Sequence, residues 1–166
     1  MTLKVRHLLV GLLSAVSVAL SASADTGAPV VKIINFTADW CPNCQILNPA
    51  IENALTNFDT GDVELVNLDM TQASRRSSEA EKEQAWSEAI RLAHSHHALY
   101  LWDWYGGVTG IAAIISADTG EPITCVNRTF DEDAIQGRIQ EAIILTNRRA
   151  RGARKPEGPE CPPPLR

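Results

Sequence analysis

Apolar residues gather at Val30-Val31-Lys32-Ile33-Ile34-Asn35-Phe36, a short and partly β-branched run that predicts a buried central strand. The period then changes. Ile46, Leu47, Ala50, Ile51, Ala54, Leu55 and Phe58 recur at helical spacing, which predicts a helix from Cys44 to Phe58, with Pro49 expected to kink it. Asp59-Thr60-Gly61-Asp62 reads as a turn, and Val63 to Asp69 as a second strand. Strand, helix and strand in this order make a right-handed parallel unit.

A polar segment, Thr71 to Ser78, carries Arg75 and Arg76. Beyond it one long helix is expected from Ser78 to about Leu101, with Ala85, Trp86, Ala89, Ile90, Ala93, His97 and Leu101 on its apolar stripe. Ser77 or Ser78 suits its N-cap, and acidic residues follow in the first turn. Gly106-Gly107 ends the pattern. Gly110 to Ala117 reads as a third strand, Asp118 to Glu121 as a hairpin turn, and Pro122 to Asn127 as a fourth strand whose proline confines it to an edge. Phe130 to Thr146 completes the chain as a helix, with Asp131, Glu132 and Asp133 at its start. The order is β-α-β-α-β-β-α, an α/β class fold with a mixed sheet, flanking helices and a long helical insertion before the third strand.

The first residues read as an export signal. Lys4, Arg6 and His7 precede the apolar stretch Leu8 to Leu20, and Ala22-Ser23-Ala24 resembles a cleavage site, so residues 1–24 are expected to be removed. That implies a secreted or periplasmic protein with no membrane span after cleavage, in a compartment where disulfides form. Residues 25–146 are expected to make one domain, and residues 147–166 a disordered basic tail rich in proline. Without the leader the chain holds 13 basic and 20 acidic residues, a net charge of −7. The tail takes six of the basic residues and two of the acidic ones, which leaves the body with 7 basic and 18 acidic residues, a net −11. So acidic a body argues against nucleic-acid binding.

Chemistry concentrates at Trp40-Cys41-Pro42-Asn43-Cys44, between the first strand and the first helix. Two cysteines at this spacing can close a small disulfide. Unpaired amides and the dipole at the helix start favour a thiolate on the first one. Pro42 suits the first turn, where its missing N–H costs nothing. The pair therefore reads as a redox-active dithiol, with Cys41 attacking and Cys44 resolving. It needs no organic cofactor. Cys125 and Cys161 either pair and tie down the tail or stay free.

This element order, with the dithiol at the first strand-to-helix junction, resembles the thioredoxin superfamily over roughly residues 28 to 146. The stretch Asn35 to Cys44, Pro49 five residues later, Val63 to Asp69, and Tyr105-Gly106 through Gly120-Glu121 carry the likeness. Phe36-Thr37-Ala38-Asp39-Trp40-Cys41 looks closest to the periplasmic C-terminal domain of DsbD-type thiol–disulfide interchange proteins. The resemblance implies a monomeric oxidoreductase acting on protein thiols or disulfides, with a redox partner protein. It implies catalysis by Cys41 and Cys44, supported by Trp40, Pro42, Asn43, Asn35, Asp39, Ile111 and Ala112. Two of these depart from the family. Asn35 stands where a buried aspartate serves as base, and Ala112 stands where a cis-proline faces the dithiol. An alanine there is expected to be trans, since a non-proline cis bond costs about 3 kcal/mol.

Other patterns suggest alternatives. His94, His96 and His97 with the dithiol would suit a copper-binding or metallochaperone protein, although their spacing matches no established zinc motif. A helix end bearing histidines near the negative dipole pole is the simpler expectation. Tyr100, Trp86, Trp102 and Trp104 read either as a packed helix end or as an apolar surface of a binding module that has lost catalysis. Asn127-Arg128-Thr129 fits a glycosylation pattern relevant to a eukaryotic secretory route.

Overall fold

The structure, a computed structural model, describes residues 27–154 and 161–163. The expected signal segment lies outside them. No helix among the described residues is long and apolar enough to cross a membrane.

Strand β1 (Val31–Thr37) is central in a four-stranded sheet. It pairs in parallel with β2 (Val63–Asp69) and antiparallel with β3 (Ile111–Ser116), and β3 pairs with the edge strand β4 (Pro122–Asn127). Helices cover both faces, which is why β1 reads as a continuous apolar run. Val31, Ile33, Ala112 and Ile114 pack with Leu47 and Ile51 of α1 (Cys44–Leu55) and Ile135 and Ile139 of α4 (Glu132–Arg148). The alternate residues Ile34, Phe36, Ala113 and Ile115 point the other way. They pack with Ala89 and Ala93 of α2 (Glu79–Ser95) and Leu101 and Tyr105 of α3 (Leu99–Tyr105). This is the expected mixed α/β architecture.

The insertion is not one helix. Ser78 caps α2 through a reciprocal pairing with Glu81, as its sequence suggests. The helix then stops at Ser95. His97 takes a left-handed backbone (φ 60°). The His97 amide donates to His94 O at 3.2 Å and the Ala98 amide to Ala93 O at 2.7 Å. These two bonds form a Schellman ending, with histidine where glycine is usual. The break turns the chain so that α3 can bring Leu101 and Tyr105 to the core α2 reaches with alanines. Only part of the expected stripe is buried: Ala85, Ala89 and Ala93 face inward, whereas Trp86 and Ile90 are 50% and 39% exposed. Tyr100, Trp104 and Tyr105 stack edge to face, so this part of the aromatic set is a packed helix end. Trp86 stands apart from it.

The tail also departs from expectation where it is described. Asn147 and Arg148 continue α4. Arg154 is 5% exposed, its guanidinium pairing with Asp118 and its amide donating to Glu121 Oε1. Cys161 is bonded to Cys125 of β4, and the Tyr105 hydroxyl donates to Pro162 O. Residues 147–153 are exposed, but Arg154 and Cys161 fasten the described tail segments to the β3–β4 turn and to β4 by charge pairing and a covalent bond. Asn127 accepts from the Thr129 amide and hydroxyl in a turn that leads into α4.

Candidate functional site

The chain leaves the C-terminal end of β1 and passes through Ala38, Asp39 and Trp40 before its first helical turn. The Gln45 amide already donates to Cys41 O at 3.2 Å, so helical bonding begins at Cys41. Cys41 thus occupies the position where Ser or Asp would cap a helix. Its sulfur accepts a hydrogen bond from the Cys44 amide at 3.1 Å, as a capping oxygen would. Pro42 falls in the first turn, as its lack of a donor permits. Cys41 and Cys44 are joined as a disulfide with their Cα atoms 5.2 Å apart. Both are buried, Cys41 at 3% and Cys44 at 1%, so any difference in their access is small. Pro42 and Asn43 are exposed beside them, and Trp40 is 47% exposed.

A clamp behind the loop sets its path. Asp69, the last residue of β2, accepts from the Thr71 amide at 2.8 Å and the Thr71 hydroxyl at 2.6 Å. Thr71 in turn accepts from the Asp39 amide and, through its carbonyl, from Trp40 Nε1, both at 3.0 Å. Gly110 closes the other side. It has φ +85°, and a Cβ there would lie 2.5 Å from Asn43 Cβ and 3.4 Å from Cys41 Sγ. The left-handed backbone and the close approach to Asn43 both require glycine here, and they seat Gly110 against Cys41 Sγ.

Residues 25–85 match the thioredoxin family. This part of the chain is thioredoxin-like. Among solved structures the chain is similar to StoA from Bacillus subtilis, at 12% identity, with 68% of this chain and 84% of that chain covered and a TM-score of 0.44. A thioredoxin-related protein from Neisseria meningitidis serogroup B gives 13% identity, coverage of 76% and 92%, and a TM-score of 0.44. A thioredoxin-like protein from Parabacteroides distasonis gives 15% identity, coverage of 69% and 82%, and a TM-score of 0.41. No curated protein matches.

Within this thioredoxin-like frame the departures seen in the sequence take physical form. Asn35 is 2% exposed, and its Nδ2 donates to Asn48 Oδ1 at 3.1 Å and Asn67 Oδ1 at 2.9 Å. Asn48 in turn donates to Thr37 Oγ1 at 2.8 Å. An amide network that runs from the buried Asn35 to the half-buried Asn48 and the exposed Asn67 therefore stands where the resemblance places a single carboxylate. Asp39 does not join it, being exposed in the loop. Ala112 is fully buried and its peptide bond is trans, as expected. It sits inside the ladder between Asn35 and Val126, and its side chain packs in the α1–α4 core, away from the cluster that holds the dithiol. Ile111 opens β3 opposite Phe36 and belongs to the dithiol cluster. Gly110, rather than Ala112, backs Cys41. Gly110, Asp69 and Thr71 are not among the site residues named from the sequence; a glycine just before a buried strand signals the first, and no local pattern signals the roles of the other two.

The histidines lie elsewhere. His96 Nδ1 is 3.7 Å from Glu64, which also pairs with Lys32 at 3.7 Å, near the start of β1 and β2. Five strand residues separate Lys32 from Thr37, about 16 Å at roughly 3.3 Å per residue. Burial holds the His96 imidazole below its usual range, with Glu64 opposing. Among the described residues no His, Cys, Asp and Glu side chains gather into a set able to hold a metal ion. The structure does not bring the histidines and the dithiol together.

Proposed function

We propose that this chain is an exported thiol–disulfide oxidoreductase working through Cys41 and Cys44. The observation that carries this reading is the Cys44 amide hydrogen-bonded to Cys41 Sγ at the start of a helix. The same donor, with the helix dipole, stabilises negative charge on that sulfur once the disulfide is reduced.

In the reducing direction the Cys41 thiolate attacks one sulfur of a partner's disulfide. A Cys41–partner bond forms, the partner's own S–S bond breaks, and the displaced sulfur leaves as a thiolate that takes a proton from water. The Cys44 thiolate then attacks Cys41 Sγ and releases the second partner thiol. Two electrons have passed to the partner, and the protein holds the Cys41–Cys44 disulfide. A dithiol donor restores the reduced form by the same steps in reverse. Asn43 and Gly110 confine the approach to Cys41, and the Asp69–Thr71 clamp holds Trp40 beside it. A monomer suffices. The second disulfide, Cys125–Cys161, supports an oxidising compartment and hence export.

Equilibration with glutathione buffers tests the reading. The Cys41–Cys44 pair should interconvert reversibly, and Cys44→Ser should accumulate mixed disulfides through Cys41. A pair that cannot be reduced without unfolding the protein would reject it.

A further inference from the structure

A broad groove of about 960 Å³ opens between the loop residues Asp39 and Trp40 and the segment leading into α2. Its lining includes Asp39, Trp40, Thr71, Arg75, Arg76 and Ser77. Its size is that of ligand-binding clefts, about 300–1,000 Å³. Asp39 and Trp40, the two residues before Cys41 in the chain, form one wall of the groove, so a bound peptide would lie against the loop that carries the reacting cysteine.

The charges in the groove run against the rest of the molecule. The body holds seven basic residues against a strong acidic excess. Four of them are paired: Lys32 with Glu64, Lys82 with Glu79, Arg91 with Glu88 and Arg138 with Glu141. Among the described residues Arg75, Arg76 and Arg128 are exposed and make no ion pair; Arg75 and Arg76 line the groove, where Asp39 is the acidic residue of the lining. Their backbone is held in place nonetheless. The Arg76 amide donates to Ser74 Oγ at 3.3 Å, Ser74 and Ser77 share a hydroxyl hydrogen bond of 2.8 Å, and Thr71 is fixed by Asp69. Two uncommitted guanidiniums on an anchored turn suit bidentate carboxylate binding.

We infer that this groove selects disulfide substrates whose cysteine is flanked by acidic residues, with Arg75 and Arg76 as specificity determinants. The inference rests on the redox reading above and adds the class of peptide it accepts. The overall negative field would favour basic peptides, so a preference for acidic ones has to come from the groove. The chemistry is unchanged: the protein's two thiols become a disulfide and the peptide disulfide becomes two thiols.

The test uses pre-reduced protein in single-turnover reactions with two disulfide-linked peptide dimers, alike except for Glu or Lys around the cysteine. At low salt the acidic dimer should be reduced about tenfold faster. The advantage should collapse in the Arg75→Gln, Arg76→Gln double variant and shrink as salt rises, because charge contacts at a surface are screened within about 10 Å at 0.1 M. Where both dimers are reduced, equal rates, or a preference that survives the double substitution, overturn the inference. A second measurement stands apart from redox chemistry: binding of a labelled acidic peptide with serine for cysteine to oxidised protein, read by anisotropy. Binding weakened at least threefold by the double substitution supports the groove even if neither dimer is reduced, an outcome that would instead reject the oxidoreductase reading. Binding indifferent to the arginines overturns the groove.

Discussion

Opening the Cys125–Cys161 bond should destabilise the protein by a calculable amount. The bond spans a sequence separation of 36 residues, and fixing a loop of that length in the unfolded chain is worth about 4 kcal/mol on the chain-entropy relation. The perturbation is the double variant Cys125→Ala, Cys161→Ala, which leaves no unpaired thiol to exchange with Cys41. Cys125 is 7% exposed, and alanine there keeps the β4 backbone pairing with Ala113. The Tyr105–Pro162 hydrogen bond should fail with the disulfide, whereas the Arg154–Asp118 pair has its own anchor. Urea unfolding of both proteins, with Cys41–Cys44 kept oxidised, measures the loss. At a urea slope of about 2 kcal/mol per molar, the midpoint should fall by about 2 M. A fall under about 0.5 M on that slope would refute the reasoning, because the bond would then constrain nothing the folded contacts do not already hold.

Gly110→Ala should cost about 1–3 kcal/mol, the range for a non-glycine residue forced into this backbone region, and should slow disulfide exchange by displacing Asn43; a thermal melt and a single-turnover rate check both. His97→Gly should stabilise the protein by about 1 kcal/mol, since glycine takes the left-handed ending without strain; an unchanged or lower melting temperature would contradict it. Hydrogen bonding from Arg154 lowers the Asp118 pKa from 3.8 to about 2. Because the folded state holds this carboxylate ionised, its contribution is full above pH 4 and is lost as pH falls from about 4 toward 2. Melting curves across that window should converge for the wild type and Asp118→Asn at the acid end and separate above pH 4.

Much of the fold was legible because local and global signals agree. β1 lies between two layers of helices, so its apolar run is continuous, and Pro122 falls on the edge strand its missing donor demands. The dithiol was legible because its chemistry is local: spacing, a proline in the first turn and a following helix place a sulfur where a cap belongs. The break at His97 was hidden because a Schellman ending usually shows as glycine. The anchored tail was hidden for a different reason. Arg154 sits in a composition that reads as solvated, and its partners Asp118 and Glu121 are more than 30 residues away in sequence. The choice between a free and a paired Cys125 likewise depended on a contact that no local pattern encodes. Ala112 shows the limit of matching positions. It stands in the family's proline position, yet as a trans residue with a free amide it joins the ladder, and Gly110 becomes the neighbour of the sulfur.

The proposed reaction needs Cys41 to be an activated nucleophile. Cys44→Ser leaves it as the sole free thiol, because Cys125 and Cys161 remain bonded to each other. The rate of its alkylation, measured from pH 4 to pH 10, reports its ionisation directly. The midpoint should fall clearly below the free-cysteine value of about 8.5, as a sulfur held by a helix-start amide requires. A midpoint at or above about 8.5 would mean that burial outweighs the helix and that Cys41 is not the attacking group.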